Sequence, residues 1–108
     1  MSRPPTVFVV QESTDKDFSP ALEYGQVECL LPEGKRVMFM MQPVIEELRF
    51  KLSKFDPDQD CLLATGDPIA IGIATHLAAL RAGYVNLLKW DHREHRYYKL
   101  LADFRVKT

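Results

Sequence analysis

Much of what usually announces a function is missing from this sequence. Its charges nearly cancel, with 14 Lys and Arg against 15 Asp and Glu. No global field therefore draws it to a nucleic acid or a membrane, and such a partner has to be met by a local patch. Only two cysteines are present, Cys29 and Cys61, with no CxxC pair and no Cys/His spacing of a zinc site. Each lies in an apolar run, so both are expected as reduced, buried small hydrophobes in a reducing compartment. No apolar run approaches the roughly 18 residues of a membrane span, and the first residues carry no signal-like apolar stretch. A membrane partner is not expected. There is no GxGxxG, no Walker lysine, and none of Ser2, Ser13, Ser19 and Ser53 sits in a nucleophile elbow. No catalytic residue, metal or cofactor is therefore expected, and the balance leans away from an enzyme.

What is present specifies an architecture. The 108 residues suit one domain, 1–108, and the 46% apolar content is enough for a real core. Residues 6–11 are a short run of β-branched and aromatic residues, which predicts a strand buried on both faces. Residues 12–25 are polar and read as a loop. Residues 26–31 predict a second strand, and Pro32 and Gly34 a turn. The apolar stretch 36–41 reads as a third, short strand. Over 43–55, Val44, Ile45, Leu48, Leu52 and Phe55 recur at helical spacing, with Pro43 at the start and Glu47 paired to Lys51 on the other face.

Residues 60–90 carry the clearest pattern. Residues 60–65 predict a buried strand, Gly66 a turn, Asp67 an N-cap and Pro68 the first helical position. The helix 68–82 has Ile69, Ile73, Leu77 and Leu80 along one face. Its row Ala70, Ala74, Ala78 and Ala82 allows close approach to a sheet, and Gly83 fits its C-terminal cap. A further strand over 84–90 completes a right-handed β-α-β unit. The charged loop 91–95 and a strand over 96–104 add an antiparallel hairpin. The expected fold is a single α/β domain: a mixed sheet of five or six strands, the β-α-β unit over 60–90, a C-terminal antiparallel hairpin and two main helices.

Four blocks bear a likeness to known sequences: Glu23-Tyr24-Gly25, the stretch Leu62 to Ala74, Leu87 to Asp91, and Arg96-Tyr97-Tyr98. Together they resemble a group of small proteins encoded by tailed bacteriophages. The Gly66-Asp67-Pro68 and Lys89-Trp90-Asp91 parts are the most specific. The resemblance implies a viral or prophage product acting in the bacterial cytoplasm, and it supplies no activity and no site residues.

Three local features offer chemistry. At Thr65-Gly66-Asp67 a strand meets a helix N-terminus, where free N–H groups can hold an anion. Asp67, however, puts a carboxylate where a phosphate would sit, so the turn reads first as a capped helix start, with a small-ligand or nucleotide site as the alternative. Between 89 and 99, Lys89, Arg93, Arg96 and Lys99 interleave with Trp90, Tyr97 and Tyr98, a mixture that anchors interfaces or stacks on bases. Asp91 and Glu94 dilute that charge, and a solvated hairpin is the plainer reading. His92 and His95, three apart in a loop, are weak as metal ligands. His76, among apolar neighbours, reads as a core or boundary histidine.

Parallel strands at 60–65 and 84–90 bring their carboxyl ends to one edge, where ligand crevices of open α/β sheets lie. One composite surface of Asp67, Trp90, Asp91, His92 and Arg93 is therefore expected. The leading expectation is a non-enzymatic binding module toward a host protein or nucleic acid, with Lys89, Trp90, Arg93, Arg96 and Tyr98 as its contacts. The alternative uses Thr65, Gly66, Asp67, Asp91 and His92 for a small ligand. A strand over 96–104 at the sheet edge also suits a homodimer by pairing with its own copy.

Overall fold

Strand β1 (Thr6–Gln11) is buried at every position, and the reason is its place in the sheet. The computed structural model describes residues 3–107, and β1 lies inside a five-stranded sheet of order β2-β1-β3-β4-β5. Its neighbours β2 (Gln26–Leu31) and β3 (Cys61–Leu63) both run parallel to it. Strand β4 (Tyr84–Asp91) is parallel to β3, and β5 (Arg96–Asp103) closes the sheet antiparallel to β4. A strand flanked and covered on all sides has no solvent face to show. Each fully buried Val or Phe of β1 contributes roughly 1.5–3 kcal/mol by leaving water.

Alternation along the strands divides the core in two. Phe8, Val10, Leu62 and Val85 point to the face covered by α1 (Met41–Lys51) and α2 (Pro68–Ala79). Val7, Val9, Cys61, Leu63 and Leu88 point to the opposite face. That face is covered by the β1–β2 connection, which carries a 3₁₀ segment (Ser19–Glu23) and supplies Phe18, Ala21 and Tyr24. The chain moves one way from β1 to β2 and the other way from β2 to β3 and on to β4. Right-handed crossovers then require the connections to lie on opposite faces, and the two clusters agree.

Local signals behave as their chemistry demands. Asp67 caps α2, its Oδ1 accepting from Ile69 N at 2.8 Å, with Pro68 in the first turn. Lys51 and Glu47 pair at 2.9 Å. Gly34 and Gly83 take the positive φ of their turns.

Several expectations need correction. Residues 36–41 are not a strand, so the sheet has five strands. Val37–Phe39 form a 3₁₀ turn leading into α1, with Met38 76% and Phe39 69% exposed. The helix thus begins at Met41, two residues before Pro43, whose missing N–H still falls in the first turn. On α2, by contrast, the alanine row approaches the sheet as expected: Ala70, Ala74 and Ala78 are buried, with Ala79 beside them, while Ile69 and Leu80 lie exposed. Small side chains let the helix sit close to the sheet, so the larger ones are left at its flanks. His76 is exposed rather than in the core or at its boundary. Cys61 is buried, but Cys29 only partly; both thiols are free, and burial raises the pKa of each.

Among the described residues, buried charge is confined to one place. Asp60 is fully buried at the amino end of β3. Its carboxylate accepts from both Arg3 guanidinium nitrogens, from Thr6 N at 2.9 Å and from Asp56 N at 2.8 Å. It thereby ties the entry of β1 to the loop before β3, at the end of the sheet opposite the candidate site. A buried carboxylate is tolerated only with such full pairing.

Candidate functional site

The strand order sets where a site can form. The chain leaves β1 in one direction and reaches β3 from the other, so the topological switch point lies between these strands, at their carboxyl ends. Gln11 ends β1 there, and Ala64 to Asp67 follow β3. The carboxyl end of β4, at Trp90 and Asp91, shares the edge. Asp67 and Asp91 thus stand at the same end of the sheet.

That edge is divided into adjoining clefts. The largest, about 650 Å³, opens between the 12–25 connection and the ends of β3 and β4. Thr65, Lys89, Trp90 and His92 line it, and so do Lys16, Asp17 and Tyr97. Gly66 and Asp67 border a different cleft with Gln11, Lys35 and Arg36. Asp91 and Arg93 border a third, together with Lys89, Trp90, His92 and Tyr98. Lys16 borders the first two, and its Nζ donates to Thr65 Oγ1 at 2.7 Å. The expected composite surface is therefore one edge with several hollows. Trp90 and His92 line two of them, and Asp67 belongs to another.

Aromatic packing organises the largest cleft. The Trp90 ring meets Tyr97 edge-on at 4.9 Å between centroids, and His92 and His95 also stand edge-on to it, at 6.5 and 6.3 Å. Trp90 and Tyr97 are cross-strand partners, so the contact follows from register. Trp90 keeps part of its surface open, whereas Tyr97 is buried and its hydroxyl pKa is raised by that burial.

The hairpin tip around Trp90 is charged and exposed. Asp91 Oδ1 accepts from Arg93 N at 3.0 Å, and His95 takes a positive φ, which together shape the turn. Arg96 lies over the Tyr98 ring at 5.2 Å and pairs with Glu23 at 3.6 Å. Lys89 and Arg93 make no ion pair among the described residues. Of the five expected contacts, Lys89 and Arg93 are exposed and unpaired among the described residues, Arg96 and Tyr98 are exposed against each other, and Trp90 is partly open.

The Gly66 turn is closed in on itself. Asp67 N donates to Gln11 Oε1 at 2.9 Å, and Ile69 N is taken by the Asp67 carboxylate. Pro68 has no N–H. The donors that would cradle an anion are thereby largely used inside the chain. Gly66 has φ +110°, and an added Cβ would overlap the Gln11 side chain. Among the described residues, no three His, Cys, Asp or Glu side chains gather as a metal site, and no helix is long and apolar enough to cross a membrane.

Sequence reasoning missed Lys16 and Asp17. Their signal was topological: a connection joining parallel strands must cross the carboxyl edge, so its polar residues line whatever forms there.

A family model described as Phage Pam3 gp32-like protein matches residues 5–104, nearly the whole chain. No curated protein and no solved structure matches.

Proposed function

The chain belongs to the Phage Pam3 gp32-like protein family, and from that premise we propose that it is a phage accessory protein acting as a non-enzymatic binding module in the host cytoplasm. Its partner is a host protein, engaged through the Trp90 cleft and the hairpin tip. The observation that carries this reading is the half-open Trp90, held between Tyr97 and two histidines and flanked by Lys89 and Arg93. Rigid aromatic and Arg anchors of this kind dominate protein interfaces. A nucleic-acid partner is less well supported. Phosphate binding asks for a row of cations, whereas here Asp17, Asp91 and Glu94 alternate with Lys16, Lys89 and Arg93.

A second reading, a nucleotide or other small ligand at Thr65, Gly66 and Asp67, draws on the switch-point position. It would require displacing Gln11 from Asp67 N. The neighbouring cleft needs no such rearrangement and is the better-supported surface.

The test is capture from bacterial lysate by the tagged chain, with and without nuclease, followed by reconstitution with the purified partner. Trp90→Ala and Arg93→Ala are each expected to weaken binding at least about tenfold. Arg93 is exposed, so its loss leaves the fold intact. Capture that vanishes with nuclease would assign a nucleic acid instead. Unchanged affinity in Arg93→Ala and in a folded Trp90→Ala would remove the hairpin from the interface.

A further inference from the structure

Strand β5 is an edge of the sheet, and its hydrogen bonding shows which of its backbone groups are open. Phe104 N donates to Gly83 O at 2.8 Å. The register Tyr84↔Asp103 continues from that bond. N–H and C=O of one residue point to the same side of an antiparallel strand, and successive residues alternate. Residues 98, 100 and 102 therefore bond to β4, and residues 97, 99, 101 and 103 face outward. One of the outward groups is already used, since Tyr24 Oη donates to Tyr97 O at 2.9 Å. The open set is Lys99, Leu101 and Asp103.

The side chains along this edge guard it only in part. Natural edges carry Pro, bulges or charges, Lys above all, to prevent pairing; the open set does hold Lys99 and Asp103, but they are of opposite sign and antiparallel pairing can set one against the other. Here β5 runs through eight residues without proline, and every β5 position has a β4 partner in unbroken register. Leu100 is 49% exposed on the helix face, Leu101 58% on the other, and Phe104 63% just beyond. Lys99 makes no ion pair among the described residues.

We propose that β5 is a self-association edge that pairs antiparallel with β5 of a second copy, centred on Leu101. A two-fold axis normal to the sheet keeps each face continuous, so facing residues share parity. Centring on Leu101 uses the three open residues and no others: Leu101 faces Leu101 of the second copy, and Lys99 faces Asp103 of the second copy, twice by symmetry. Leu100 then faces Ala102, and Tyr98 faces Phe104. Centring on Lys99 would set two lysines against each other, which cross-strand energetics disfavour. Centring on Leu100 would ask the Tyr97 carbonyl to leave Tyr24. The product is one ten-stranded sheet. Trp90 and Arg93 stay outside the interface, so the pairing stands or falls apart from the partner-binding reading.

The test is sedimentation equilibrium of the full chain. Wild type is expected as a dimer at micromolar concentration. Leu101→Pro deletes an outward N–H and leaves the β4 ladder whole, because proline is tolerated on the free side of an edge strand. It is expected to be a folded monomer. Lys99→Asp places four carboxylates across the axis and is expected to weaken the dimer at least roughly tenfold. A wild type that stays monomeric into the high micromolar range overturns the proposal. So does a dimer indifferent to Leu101→Pro, or one indifferent to Lys99→Asp while that variant remains folded.

Discussion

Single residues at the two ends of the sheet hold opposite kinds of information. Gly66 is required by backbone: its φ of +110° is costly for any other residue, and its missing Cβ is the space Gln11 fills. Gly66→Ala is expected to destabilise the domain by about 2–4 kcal/mol, from strain and overpacking together, measured by urea unfolding. Asp103 behaves differently. Hydrogen bonds from Arg105 and Lys107 hold its pKa well below the ordinary aspartate range. A folded pKa below the unfolded one means the contact contributes above the usual range and is lost only as pH falls through the depressed value. NMR titration is expected to find Asp103 still ionised where free aspartate is protonated, and Arg105→Ala is expected to move its midpoint upward. A midpoint unmoved by that change would mean that Arg105 does not hold the carboxylate. The turn at Gly66-Asp67-Pro68 was legible in sequence because glycine, N-cap and N1 proline are each dictated by local backbone chemistry. Asp60 was not, since its partners Arg3 and Thr6 lie more than fifty positions away.

Among the elements, α2 shows where periodicity stops being informative. Its apolar residues occur on nearly all sides, and spacing alone offers both an Ile/Leu row and an Ala row as the buried face. Closeness to the sheet decides for the alanines. Gly72 sits on an outer side, where an added Cβ meets nothing within 4 Å. Gly72→Ala is therefore expected to stabilise by about 0.5–1 kcal/mol through helix propensity, read as a raised urea midpoint with unchanged slope. A loss of stability would mean that this side of the helix is packed against something. The stretch 36–41 misled for a related reason. A short apolar run is equally compatible with strand and with a helix entry, and the sheet offers it no place, because β2 continues through Pro32 and Gly34 into α1.

For the whole molecule, the layer structure was readable, and so was the sheet edge on which the candidate site is placed. Parallel strands at 60–65 and 84–90 required a shared carboxyl edge, and the edge is there. What could not be read was its subdivision, because that depends on how the 12–25 connection folds over the sheet. Nothing periodic marks this segment, and it brings Lys16 to Thr65 from 49 positions away. The same connection explains why Trp90 is only half open: it packs with the second core beneath that cover.

The central position of β1 also bears on how the protein is made. Of the five strands, the one made earliest needs neighbours on both sides, and β3, its second neighbour, is completed only at Leu63. At about 5–20 residues per second, an apolar strand with one open edge waits on the order of 3–10 s for its partner. Strand β4, by contrast, is followed directly by its partner β5, across the short turn 92–95. Within this chain, the segment most in need of shelter is thus made before the one whose partner follows directly.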